Sequence, residues 1–226
     1  MNKALTLTPT RTPRTSRGER TRELLLGCAR SVFERDGYAS TRMGDIAAEA
    51  GVSHGTVYTY FETKRDVMAI ILERLVADLR AAISIDSQDD EAMRLAQANR
   101  SYIDTYVNNA RLMMVMEEAA MSDGRFAQTL RELRQDHISR VAEQIAAQQK
   151  RGEAHADVNA GVAALGMCAM VEGFARYWAD SDDPGDSVGA ASVTLLWQRA
   201  LGLPEFALAE LVESMDTVEE PDGVHV

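Results

Sequence analysis

Apolar residues along this chain recur every three to four positions, the spacing of helices with one buried face. Between about Glu19 and Asp36, Leu25, Cys28, Ala29 and Val32 fall at i, i+3, i+4 and i+7. Gly37 follows directly and suits a left-handed C-terminal cap. Thr41 stands where it can cap a second helix over 42–50, which Gly51 ends. Ser53 is placed to cap a third, short helix over 53–60. Thr63, with Asp66 three positions on, reads as a capping box that opens a fourth helix. That helix has a stripe of Met68, Ile71, Leu72 and Leu75.

Beyond the polar stretch SIDSQDD (84–90) the same period continues in longer runs. Residues 91–109 place Tyr102, Ile103, Tyr106 and Val107 on one face. Residues 110–122 do so with Leu112, Val115, Met116 and Ala119. A long helix over 124–150 keeps Phe126, Leu130, Leu133, His137, Ile138, Val141 and Ile145 in register. RGEAHAD is a loop, and helices over 158–180 and 186–201 flank DSDDPGDS. Pro204 begins an irregular or short helical end, and the chain from about Met215 reads as a disordered acidic tail. The expected class is all-α: a three-helix N-terminal helix-turn-helix domain and a larger helical body. The expected division is 1–18 as a disordered basic arm, 19–65 as the helix-turn-helix domain, 66–214 as the body and 215–226 as the tail.

Composition supports a helical globular chain, with 46% hydrophobic and 26% charged residues and only five Pro among 226 residues. A net charge of −11 argues against nucleic acid until its distribution is read. Residues 1–65 carry 11 Lys/Arg against 7 Asp/Glu, and the remainder carries 13 against 28. An anion-binding N-terminal part therefore joins an acidic body. Cys28 and Cys168 read as buried thiols in a reduced, cytoplasmic setting. No run approaches the length of a membrane span. The first 22 residues hold six basic groups and one acid, but Pro9 and Pro13 interrupt the helix a transit peptide needs. The arm from Arg11 to Arg22 is either a minor-groove or phosphate contact or an unattached solubilising tail.

Two short helices joined by a glycine turn, the second opened by Ser, describe a helix-turn-helix. Ile46, Ala47, Ala50, Val52 and Val57 face inward. Ser53, His54, Gly55, Thr56 and Thr59 then face outward, small or polar, as a helix entering the major groove requires. Lys64 and Arg65 lie in the first turn of a helix, where the macrodipole disfavours cations by about 0.3–1 kcal/mol each. An external phosphate would reverse that sign. The hydroxyls of Tyr58 and Tyr60 can bond phosphate while Phe61 fills the core. The competing reading is a plain helical hairpin with half-buried tyrosines.

The stretch STRMGDIAAEAGVSHGTVYTYFETKRDVMAIIL (40–72) resembles the DNA-binding signature of the tetracycline-repressor (TetR) family. The matching positions are Thr41, Ile46-Ala47, Ala50-Gly51-Val52, Gly55-Thr56-Val57-Tyr58, Tyr60-Phe61 and Lys64. Tyr60 stands where the family commonly has His. The resemblance covers about residues 19–75, and the later order of helices also fits. It implies that Thr41, Tyr58 and Lys64 contact phosphate. It places His54, Gly55, Thr56 and Thr59 at base edges, with Gly55 letting the backbone approach. Ser53 caps its helix within reach of phosphate. Arg42 is either a further contact or a solvated side chain.

The resemblance also implies that the body binds a small ligand and forms a homodimer. Small residues from Ala160 to Ala175 allow close helix approach, and Val188, Ala191, Leu195 and Leu196 offer a second face, so residues 158–201 of two chains can form a four-helix bundle. Tyr102, Tyr106, Met113, Met116, Met167, Met170, Phe174 and Tyr177 are the apolar candidates for lining a ligand site, with Glu117 and His137 as orienting polar groups. The same stripes are equally those of a plain core. The four His and two Cys lack zinc spacing, so neither a metal nor another cofactor is expected. No phosphate loop, nucleophile elbow or His-Glu-x-x-His occurs, which excludes the common catalytic frameworks. The function expected is a DNA-binding regulator, not an enzyme, that grips a palindromic double-stranded operator as a dimer. A repressor released by an apolar small molecule is the leading form. A regulator without such a ligand, controlled by a protein partner or acting as an activator, is the alternative.

Overall fold

The computed structural model describes residues 15–82, 91–181 and 187–216. Among them lie ten helices and no strand: α1 (Ser16–Asp36), α2 (Met43–Glu49), α3 (His54–Tyr60), α4 (Lys64–Ala82), α5 (Glu91–Asn108), α6 (Ala110–Ser122), α7 (Gly124–Arg151), α8 (Ala160–Trp178), α9 (Ser187–Leu201) and α10 (Leu208–Asp216). The all-helical expectation holds, and most predicted spans agree within two residues.

The described residues of Met1–Ala77 and Arg111–Glu132 form one compact unit, and those of Asp78–Ala110 and Leu133–Val226 form a second. This differs from a boundary at residue 65. Most of α4, all but the first residue of α6 and the start of α7 cluster with the N-terminal helices.

In the first unit α2 packs on α1 and on α3. Leu25, Leu26, Ala29, Val32 and Phe33 of α1, Ile46 and Ala47 of α2, Val57 of α3 and Phe61 after it are buried. Leu25, Ala29 and Val32 are positions the helical period selects, whereas Cys28, expected to be buried with them, is only half-buried, and Leu26 and Phe33 complete the face instead. Helix α1 begins three residues earlier than expected, because the Thr15 hydroxyl accepts from the Gly18 amide and caps it. Residues 16–18 are thus helix rather than arm; residues 1–14 of the expected arm lie outside the described residues. The second and third helices meet at Gly51, whose φ of 64° is open to glycine at little cost. Gly37 ends α1 but not in the left-handed helical conformation: its φ of 80° comes with a ψ of 162°, and a turn over 38–40 follows.

In the second unit α5 packs on α8, α9 and α10, and α9 also on α10. Polar side chains are buried among these helices. Asn99 Nδ2 donates to Thr194 Oγ1 at 3.1 Å, and Arg100 Nη1 donates to Ser187 Oγ at 2.8 Å. Ser187 in turn donates to the Asp216 carboxylate. Helix α10, read from the sequence as an irregular or short helical end, buries Leu211 and Met215. Met215 is therefore the last inward residue of a helix rather than the start of a tail; residues 217–226 lie outside the described residues. No helix among the described residues is long and apolar enough to cross a membrane.

Candidate nucleic-acid interface

Ser53 sits one residue before α3 in extended conformation. Its hydroxyl accepts from the Thr56 amide at 3.2 Å and lies 2.9 Å from Thr56 Oγ1. This settles one of the open N–H groups at the helix start. Val57 and Phe61, fully or nearly buried, anchor the opposite side. Ser53, His54, Gly55, Tyr58 and Thr59 are exposed, with Thr56 and Tyr60 half-buried. His54 and Tyr58 meet edge to face with ring centres 4.9 Å apart. Thr59 Oγ1 donates to the Gly55 carbonyl, leaving its lone pairs outward. A Cβ at Gly55 would have only Ser53 Oγ nearby, at 3.9 Å, so the face is flat and open there. A short helix thus presents donors, acceptors and little bulk on one side, as direct base readout needs.

The flanking contacts differ from the expectation. Thr41 is 1% exposed, and its hydroxyl donates to the Gly37 carbonyl at 2.7 Å rather than facing outward. It does not cap α2: Arg42 occupies that position, with its amide held by the Asp45 carboxylate at 2.7 Å. Arg42 itself is exposed. Lys64 Nζ donates to three carbonyls, Tyr38, Ala39 and Thr41, at 2.7, 2.9 and 2.9 Å. An ammonium has three protons, so this arrangement leaves none for a phosphate. The ammonium also lies 4.7 Å from the centre of the Tyr38 ring. Burial lowers the Lys64 pKa, with Glu118 opposing the shift. Arg65 pairs with Asp123, Nε to Oδ2 at 2.7 Å and Nη2 to Oδ1 at 2.9 Å. The two cations at the start of α4 do find negative partners, but inside the unit.

Three residues here escaped the sequence reading. Glu118 takes the amides of Tyr38 and Ala39 at 2.9 and 2.8 Å. Tyr38 packs edge-on against Phe126 at 5.8 Å. Asp123 accepts from the Arg125 amide at 2.9 Å as well as pairing with Arg65. Asp before Gly124 is a legible cap signal. Glu118 has none, because its partners lie 79 and 80 residues away.

The other candidates fall in both units. Met113 and Met116 are buried and Glu117 half-buried in the first. In the second, Tyr102 stacks parallel to His137 with centres 6.2 Å apart and planes 5° apart. Tyr106 lies 6.4 Å from Tyr102 and is buried. Burial raises the Tyr102 hydroxyl pKa, Glu172 and Tyr106 adding to it. Burial also pushes the Cys168 thiol up to about 12. Glu172 is held by Arg134 Nη2 at 2.5 Å. Met167, Met170 and Phe174 are half-buried, and Phe174 stacks on Trp178 at 4.9 Å. Tyr177 is 81% exposed, so it lines no interior.

A buried-backed helix with an open polar face, joined to a second helix by a glycine turn, is the geometry of a helix-turn-helix. Residues 25–70 match the family described as bacterial regulatory proteins, tetR family. It is 27% identical over 185 residues to the transcriptional activator FasR of Mycolicibacterium smegmatis, covering 80% of this chain and 82% of that one. It is 26% identical to the transcriptional regulator TtgR of Pseudomonas putida, covering 76% and 86%. In fold it is similar to NalD of Pseudomonas aeruginosa, a secondary repressor of the MexAB-OprM multidrug efflux pump. The TM-score is 0.66 at 20% identity, covering 83% of this chain and 100% of that one. The regulators it resembles are not enzymes, and no group of three or more potential metal ligands occurs among the described residues.

Proposed function

We propose that this regulator binds a palindromic operator as a homodimer, represses transcription, and releases DNA when an apolar small molecule enters its body. The observation that carries the DNA reading is the open face of α3, where Ser53, His54, Gly55 and Thr59 stand exposed above buried Val57. Within it, His54, Gly55, Thr56 and Thr59 face bases. Tyr58, Tyr60 and Arg42 reach phosphate, with Ser53 beside them. Thr41 and Lys64 support the interface from behind.

Apolar faces support the dimer. Val162 and Leu165 of α8 are 68% and 55% exposed, and Val188 and Leu196 of α9 are 43% and 54% exposed. Helices α8 and α9 pack on each other, and their exposed apolar residues suit a bundle with a second copy. The aromatic pair Tyr102–His137 supports a ligand site in the second unit: neither side chain has a hydrogen-bond partner among the described residues, so both remain available to orient a guest. Repression is supported by the likeness to relatives such as the transcriptional repressor BepR of Brucella suis. FasR, named an activator, favours the second reading, activation.

The test combines fluorescence anisotropy on a duplex recovered by binding-site selection with a thermal-shift screen of apolar metabolites. A ligand that raises the melting temperature and releases DNA over one concentration range supports the sensor reading. A ligand that binds without changing DNA affinity has no differential affinity for the two states and removes it.

A further inference from the structure

The segment from Gly37 to Thr41 has no regular structure, yet side chains hold its backbone from several directions. Glu118 of α6 receives the amides of Tyr38 and Ala39. Lys64 of α4 donates to the carbonyls of Tyr38, Ala39 and Thr41. Thr41 donates to the carbonyl of Gly37. A Cβ at Gly37 would stand 2.9 Å from a Glu118 carboxylate oxygen, so a glycine there is what admits the carboxylate. Hydrogen bonds to an ionised acceptor are stronger than neutral ones and fix geometry more tightly. The segment ends at exposed Arg42 and the start of α2, which packs on the recognition helix.

We propose that Glu118 is a positioning residue for operator binding: by holding the backbone of Tyr38 and Ala39 it sets the entry into α2, so DNA affinity depends on where α6 stands. The inference rests on the DNA-binding reading of α3. It adds a direct route from α6 to the reading head that does not run along α4. A rearrangement of α6 withdraws the carboxylate, frees two amides and loosens the segment that places Arg42 and α2.

Simple electrostatics makes the opposite prediction. Removing an acid from the DNA-binding unit lessens repulsion of the phosphates and strengthens binding. Glu118→Gln separates the two. Its single carbonyl oxygen accepts one of the amides, and its NH2 group faces the other donor to donor. Glu118→Asp keeps the charge but is one methylene too short for both bonds.

The experiment uses the full chain and a duplex obtained by binding-site selection with the wild type. Affinity is measured at several salt concentrations, alongside melting curves and amide exchange at Tyr38 and Ala39. The expected result is faster exchange at one or both of these amides, the one facing the NH2 group in Glu118→Gln, and about tenfold weaker binding for both variants. The salt slope should fall by about 1 per subunit as a phosphate contact is lost. A purely stabilising Glu118 would lower the melting temperature but leave affinity and slope of the folded protein unchanged. If either folded variant binds as tightly as wild type with an unchanged slope, or if the amides stay protected in Glu118→Gln, the positioning role is overturned. A wild-type chain that selects no DNA site overturns the reading beneath it instead, and shows itself in the control arm.

Discussion

Arg65 at the start of α4 and Asp123 at the start of α7 meet in a two-point contact, Nε to Oδ2 at 2.7 Å and Nη2 to Oδ1 at 2.9 Å. The same carboxylate accepts from the Arg125 amide at 2.9 Å. One side chain therefore caps α7 and neutralises a cation that the α4 dipole disfavours. Asp123→Ala should lower stability by about 1–2 kcal/mol, mostly through the lost cap because the ion pair is partly solvated. Urea unfolding measures it, and a change within error would show that neither contact contributes.

This pair also shows where the sequence misled. Two cations in the first turn of a helix do need negative partners, and phosphate looked like the source. The chain supplies them itself: Asp123 for Arg65, and the carbonyls of the turn after α1 for Lys64. Those partners lie 58 and 25–26 residues away, beyond any local pattern. What was legible is what local physics determines. Period placed the buried face of α1, Gly51 the turn, Ser53 and Thr63 the caps. Helix α10 is harder to read because its nine residues make too short a period, although Leu211 and Met215 carry it.

Gly55 is expected to separate folding from reading. It lies near the start of α3 with open space where a Cβ would point. Gly55→Ala should leave stability unchanged or raise it by up to about 1 kcal/mol, since Ala is the better helix former. The added methyl stands between the backbone and the groove and should cost at least about 1 kcal/mol of operator affinity. Melting curves and anisotropy on the same sample check both. Undiminished binding would mean that the backbone at Gly55 does not approach DNA.

His137 should make stability fall in mild acid. Burial depresses its pKa below the ordinary 6.5, Arg140 adds to this, and Glu172 opposes it. The unfolded chain then takes up a proton that the folded chain refuses. The contribution of His137 is complete above about pH 6.5 and declines as pH drops toward the folded value. His137→Phe, which keeps a ring against Tyr102, should lose less stability than wild type between about pH 8 and about pH 5. Equal losses in urea titrations would contradict the depressed value.

Leu165 tests the dimer. It is 55% exposed on α8, near Val162 on the same helix face. Leu165→Glu puts a charge where the partner copy would bury it, which costs several kcal/mol unless the charge is paired. Sedimentation at micromolar concentration should show dimers for wild type and monomers for the variant, with equal helical content by circular dichroism. A wild-type monomer that still binds DNA tightly would exclude this interface.

Binding-site selection from a randomised duplex pool, run with wild type and His54→Ala, tests the central claim most directly. The exposed His54 side chain, placed by Val57 and the Ser53 cap, should read a base edge. The wild type should enrich a two-fold symmetric site with half-sites about 34 Å apart or somewhat more. His54→Ala should relax the preference at symmetry-related positions by about 1–3 kcal/mol each. No enriched sequence from the wild type, or the same preference at every position from His54→Ala, would contradict sequence reading by this helix.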